Sequence, residues 1–173
     1  MRPTAMAGSS LATEFEPYTG EVYAWAYRIL GRHHDALDVV QDVFVKWARQ
    51  CRDGPPEQPR GWLRRVTVNR AVDVHRRRRL APQSVGETGE ARSAEISDEA
   101  LSAGIDRATL RDDIATALDG LTELQRGVLV AKVYDELTFA QVATEFGLAV
   151  PTVKTHYLRA VRAVRDQLRS RWA

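Results

Sequence analysis

The segment from Leu137 to Arg159 constrains the fold more than any other part of the chain. Thr138-Phe139-Ala140-Gln141 is a capping-box pattern. In such a box a threonine oxygen and a glutamine side chain satisfy free backbone N–H groups at a helix start. Gly147 suits the left-handed turn that ends a helix, and Pro151 suits the first turn of the next one. Helix, glycine turn, helix is how a chain sets a recognition helix into a DNA major groove. On that second helix Val153, Tyr157, Val161, Val164 and Leu168 form an apolar stripe with helical spacing. Lys154, Thr155, His156 and Arg159 are left in the first turns, where hydrogen-bonding and cationic side chains read base edges. Arg162, Arg165 and Arg169 continue along the helix toward phosphates. A solvated, arginine-rich hairpin in a bundle has the same outline.

The rest of the chain also reads as helical. Val22, Trp25, Ala26, Ile29 and Leu30 mark one amphipathic helix, which Gly31 breaks. A second is expected from Asp35, whose carboxylate suits an N-cap, with Ala36, Val40, Val43, Phe44 and Trp47 buried. Gly54-Pro55-Pro56 stops it. A third runs from about Pro59 to about Arg79, with Trp62, Leu63, Val66 and Val74 facing inward. Ile114, Ala117, Leu118 and Leu121 mark a further stripe, and Thr122-Glu123-Leu124-Gln125 is a second capping box. Helix starts are thus expected near residues 123 and 139. No strand pattern and no repeat is present. The expected architecture is all-α, with two small helical domains, residues 12–80 and 110–173, joined by a linker, 81–109. Pro82, Gly86, Gly89 and Gly104 stand in that linker among Ser, Glu and Ala. Such composition favours an extended tether, with a short docked helix around Ser97 to Leu101 as the alternative. Residues 1–11 are expected to be a disordered tail.

The charge distribution says more than the net charge of +2. Arg60 to Arg79 holds eight arginines against one acid, Asp73, and Pro151 to Ala173 holds six basic residues against one acid, Asp166. Between them, Leu80 to Leu110 carries six acids and two bases. Two basic blocks separated by an acidic stretch suggest a polyanion held at two places. Within the first block Asn69 is the best base-reading candidate, because its amide both donates and accepts. Asp73 stands one turn on, where it can instead hold an arginine. Asp38, Gln41, Asp42, Val45 and Arg49 share one face of the second helix, as an ordinary exposed face also would.

Cys51 is the only cysteine, which excludes an intramolecular disulfide and a cysteine-rich zinc site. A free thiol suits a reducing cytoplasm. His33, His34, His75 and His156 do not cluster with carboxylates at metal-ligand spacing, so no metal or cofactor is expected. No apolar run approaches the roughly 20 residues of a membrane span, and Met1 to Ser10 lacks a signal-peptide core. No nucleophile–base array and no phosphate-cradling glycine loop is recognisable.

Together these parts resemble the small, extracytoplasmic-function sigma factors of bacterial RNA polymerase, a group of the sigma-70 family. Asp35-Ala36-Leu37-Asp38-Val39-Val40-Gln41-Asp42-Val43-Phe44 is similar to that family's region 2.2. Gly61-Trp62-Leu63-Arg64-Arg65-Val66-Thr67-Val68-Asn69-Arg70-Ala71-Val72-Asp73 is similar to its regions 2.3 and 2.4. Leu121 to Arg126 and the helix-turn-helix are similar to region 4. The resemblance implies a factor that does no covalent chemistry, binds core polymerase, and directs it to promoters. Asp38, Gln41, Asp42, Val45 and Arg49 would meet the clamp helices of the largest subunit, and region 4 would meet the flap. Arg60, Arg64, Arg65, Asn69, Asp73, Arg76 and Arg77 would hold the melted minus-ten element. Thr138, Thr152, Lys154, Thr155, His156, Arg159 and Arg162 would read the minus-thirty-five duplex. The linker would thread into the polymerase cleft. An anti-sigma factor is a further partner that the family implies, and a regulatory domain beyond region 4 is not expected.

Leu37 stands where the family often has Glu, Thr122 where it has Pro, Gln141 where it has Glu, and Pro151 where it has Gly. The promoter sequence therefore does not carry over. A stand-alone DNA-binding regulator with a sensing or dimerising first half is the competing reading. A helical enzyme acting on nucleic acid is a third.

Overall fold

The computed structural model describes residues 8–80 and 107–172, and every regular element among them is helical. The first half comprises α1 (Gly8–Phe15), a 3-10 turn (Glu16–Tyr18), α2 (Thr19–Leu30), α3 (His33–Asp53) and α4 (Pro59–Leu80). The second comprises α5 (Arg107–Asp119), α6 (Glu123–Val133), α7 (Phe139–Phe146) and α8 (Val150–Trp172). α5 thus begins inside the stretch read as linker, and the alternative helix around Ser97 lies outside the described residues. Of the expected tail, residues 8–11 are helical, and residues 1–7 lie outside the described residues. A helix starts at Gly8, and Phe15 is buried with its ring edge-on to Phe44 at 5.3 Å.

α2 buries the five residues its spacing predicts. It ends at Gly31, whose N–H donates to the Tyr27 carbonyl at 2.8 Å. α3 differs from expectation at its start. It begins at His33 behind Arg32, without a side-chain cap. Asp35 lies in the first turn, where the positive end of the helix favours a carboxylate, and accepts from Arg78 at 2.8 Å. The buried stripe is Ala36, Val39, Val43 and Trp47, while Val40 and Phe44 are only partly covered. Two more residues before the expected start rotate no side chain, so the shift to Val39 reflects where α2 and α4 press on α3.

α4 is the central element. It packs against α2 and α3 on one side and against α5, α6 and α7 on the other. Of the four residues expected to face inward only Leu63 is fully buried, with Trp62, Val66 and Val74 half-covered. Thr67, Val68, Ala71 and Val72 are fully buried with it. Trp47 receives Trp62 edge-on, with ring centroids 5.9 Å apart. One apolar core runs from Phe15 through Val72 to Ala115, Leu118, Leu121 and Val130, so both halves contribute to it. A smaller core joins Val128, Ala131, Val142, Ala143 and Val153 within the helix-turn-helix.

Both capping boxes form. The Gln125 N–H donates to the Thr122 hydroxyl at 3.3 Å and the Thr122 N–H to Gln125 Oε1 at 3.1 Å. The corresponding distances at Thr138 and Gln141 are 3.2 and 2.8 Å. Gly147 takes the left-handed backbone, φ 62°, that turns α7 toward α8. Among the described residues no helix is long and apolar enough to cross a membrane.

Candidate nucleic-acid interface

α8 presents three faces. Val153, Tyr157, Ala160 and Val164 point into the cores, with Val153 and Ala160 wholly buried. Thr152, Thr155, His156, Arg159 and Arg162 occupy the opposite face at a helical advance of about 100° per residue, and all but the half-buried His156 are exposed. The Thr155 hydroxyl donates to the Pro151 carbonyl at 3.0 Å, which leaves its lone pairs free to accept. Arg162 is 79% exposed beside Asp166, at 4.0 Å. Lys154 lies on a flank, its Nζ 5.8 Å from the centre of the Phe139 ring. Thr138, also expected in this set, spends its hydroxyl on the α7 cap, accepting from the Gln141 N–H and donating to Gln141 Oε1 at 2.9 Å.

One residue of α8 departs from the reading of the sequence. Val161, expected in the buried stripe, is exposed. Arg165 and Arg169, expected to extend the phosphate-facing row, are exposed and also border an apolar groove. That groove has a volume of about 700 Å³ and runs between α5, α6 and α8, lined by Leu110, Ile114, Val133, Val161 and Leu168 among others. Periodicity alone placed Val161 inside, because an apolar residue at a groove rim and one in a core follow the same spacing.

The α3 stripe is a continuous exposed row. Asp38, Gln41, Val45 and Arg49 are exposed and Asp42 is half-exposed. Leu37, 39% exposed, lies alongside. Asp42 accepts from Arg70 of α4 at 2.6 Å. Between the two helices lies a polar trough of about 380 Å³, lined by Asp42, Val45, Arg49, Asp73 and Arg77 together with Lys46 and Arg70. The structure therefore brings Asp42, Val45 and Arg49 of the expected polymerase-facing set to one edge with Asp73 and Arg77 of the single-strand-facing set.

Along α4 most of the arginine block already has partners. Arg60 donates to Glu21 at 2.7 Å and lies 3.5 Å from Glu145. The Glu21 hydrogen bond, more than any other influence, holds its guanidinium above its ordinary pKa. Arg64 is fully buried over the Trp25 ring, at 4.9 Å, and pairs with Asp135 at 2.9 Å and with Glu145. Asn69 accepts from Arg126 at 3.0 Å. Asp73 holds Arg76 at 3.0 Å, the arginine-holding role open to it from the sequence, and Arg76 also approaches Asp119 at 3.5 Å. Arg65 is half-buried and Arg77 exposed.

The residues that sequence reasoning missed lie in the other half. Asp135 and Glu145 sit in the turn after α6 and near the end of α7, and no local pattern marks them. Arg126 was read only as part of a motif. It is buried, and its guanidinium donates to the Leu118 and Leu121 carbonyls at 2.9 Å each, closing the C-terminal end of α5. Burial pulls its pKa below the ordinary value, against the opposing pull of Asp119, Asp73 and Glu123. Among the described residues no three His, Cys, Asp or Glu side chains gather as metal ligands.

Comparison with known proteins follows this division. The Sigma-70 region 2 family model matches residues 15–81, and the Sigma-70 region 4 model matches residues 111–164. The chain is 31% identical over 154 residues to the ECF RNA polymerase sigma factor SigL of Mycobacterium tuberculosis, covering 87% of this chain and 84% of that protein. It is 30% identical over 152 residues to the ECF sigma factor SigE of Mycolicibacterium smegmatis, covering 87% of this chain and 58% of that longer protein. Among solved structures, the sigma factor RpoE crystallised with the anti-sigma factor NepR from Bartonella quintana aligns with a TM-score of 0.48 at 22% identity, over 93% of this chain and 98% of that one.

Proposed function

Since this chain belongs to the extracytoplasmic-function group of the sigma-70 family, we propose that it carries core RNA polymerase to promoters with separate minus-ten and minus-thirty-five elements and helps to melt them. Region 2, residues 15–81, binds the polymerase clamp through Asp38, Gln41, Asp42, Val45 and Arg49, and holds unstacked minus-ten bases on α4. Arg60, Arg64, Arg65, Arg76 and Arg77 serve the backbone, and Asn69 and Asp73 face the bases. Region 4 reads the upstream duplex through Thr152, Thr155, His156, Arg159 and Arg162, with Lys154 flanking and Thr138 setting the pose of α7. Holding bases outside the stack offsets an unstacking cost of a few kcal/mol per step. No covalent step is involved. The work is done by differential binding to open over closed DNA.

The observation that carries this reading is the trough between α3 and α4, where Asp42, Val45 and Arg49 adjoin Asp73 and Arg77. One edge offers a protein-facing stripe, together with Asp73 and Arg77 of the strand-facing set, to a single large partner bearing melted DNA. The apolar groove of region 4 supports a second anchor, an apolar helix of the polymerase flap, because Val133, 56% exposed, and Val161 present uncovered hydrocarbon there. Action in the cytoplasm and capture by an anti-sigma factor complete the proposal. Holoenzyme reconstituted from this chain and core should select promoter fragments from genomic DNA and render their minus-ten thymines reactive to permanganate. Tight, sequence-specific binding by the free chain that core leaves unchanged would favour the stand-alone regulator instead.

A further inference from the structure

Most of the large apolar side chains left exposed among the described residues have a place in the surfaces above. Leu110, Val133 and Val161 border the apolar groove, and Leu37 and Val45 lie along the α3 stripe. Leu158 of α8 has no such place. It is 66% exposed, belongs to neither core and does not line the groove. A lone exposed leucine is ordinary on a protein surface; the position of this one is not. At about 100° per residue its direction falls between those of Lys154 and Thr155, in the middle of the face assigned to the upstream duplex. Pro151, also exposed, points nearly the same way about two turns earlier. Between them Thr155 donates its hydroxyl to the Pro151 carbonyl at 3.0 Å, and so offers its methyl group as well as its lone pairs. An apolar line thus runs along a face whose flanks are the cations Lys154 and Arg159, both exposed.

The major groove of duplex DNA offers one apolar group, the C5 methyl of thymine. Resting on the promoter reading above, we propose that Leu158 is a specificity-determining residue that packs on a thymine methyl of the minus-thirty-five duplex, beside a base held by Arg159. Any other base would set the leucine against a polar edge left without a partner. Pro151 stands where the family often has Gly, so the apolar line reaches further toward the start of α8 here than the family pattern carries it. The chain therefore selects its upstream element by hydrocarbon as well as by hydrogen bonds.

The test isolates one methyl group. Holoenzyme reconstituted from the full chain and core first selects duplexes from a pool randomised over the minus-thirty-five element. Each thymine of the selected duplex is then replaced singly by deoxyuridine, which removes the methyl and keeps the pairing, and affinity is read by competition titration. At one position the wild type should lose about fourfold, the weight of a single buried methyl group. Leu158→Ala should bind thymine and deoxyuridine there equally. Leu158→Gln should move the preference at that position to adenine, whose N6 and N7 edge a glutamine matches; a residue that only shaped the helix would not redirect the choice of base. The assignment is overturned if the wild type shows no methyl-sensitive thymine, if Leu158→Ala keeps the sensitivity, or if Leu158→Gln keeps the preference for thymine. In each of those cases the selected duplexes leave the promoter reading standing. Wild-type holoenzyme that enriches no duplex at all would bring down the promoter reading, and Leu158 with it.

Discussion

Arg159 stands exposed on the same face of α8 as Thr152 and Thr155, so its guanidinium is available to a base edge. Arg159→Ala should weaken binding to a minus-thirty-five duplex by about 1–3 kcal/mol, read as a shift in fluorescence anisotropy titration. An unchanged affinity would remove Arg159 from the site. His75 makes a different statement at this scale. It is buried where α4 meets α5, 3.4 Å from the Thr116 hydroxyl and 3.6 Å from Asp112. Burial pulls its pKa below 6.5; Arg79 and Arg78 add to that, and Asp112 and Asp119 oppose it. A base depressed in the packed state binds its proton more readily once the packing opens. Its contribution is therefore whole above pH 6.5 and is lost as pH falls from there through the lower packed value. The urea midpoint should drop on acidification from about pH 7.5 to 5.5, and His75→Asn should flatten that part of the profile.

At the scale of elements, local signals were legible and distant ones were not. The capping boxes fixed the starts of α6 and α7 to the residue because each is closed by side chains three positions apart. Thr138→Ala should therefore cost about 0.5–2 kcal/mol of stability, with Thr138→Ser nearly neutral, measured by thermal unfolding. The α3 stripe was legible as a face, and its exposure now makes a functional test possible. Asp38→Arg should abolish capture of core polymerase in a pull-down while the circular dichroism spectrum stays unchanged; undiminished capture would misplace the interface. The burial of Arg64 was not legible. It depends on carboxylates 71 and 81 residues away along the chain, brought in by packing of α6 and α7 on α4. The groove beside Arg165 and Arg169 was not legible for a related reason. Their place beside a groove is set by α5 and α6, which the α8 sequence does not contain.

For the whole molecule, the shared core makes the halves cooperative. Leu118, Leu121 and Val130 of region 4 are buried in one cluster with Val22, Trp25 and Val68 of region 2. Thermal unfolding of the wild type should follow a single transition with coincident far-ultraviolet and tryptophan signals. Gly61→Ala should split it into two, since each half would then melt on its own; a single unchanged transition would show that the shared core does not couple them. The asymmetry of exposure has a consequence in time. The duplex-reading face of α8 is open in the same conformation in which Arg64 of α4 is buried and Asn69 is engaged by Arg126. A chain built this way can sample double-stranded DNA before it can grip a separated strand. The order of events at a promoter, landing upstream first and prising apart later, is then written into which surface is left uncovered at rest.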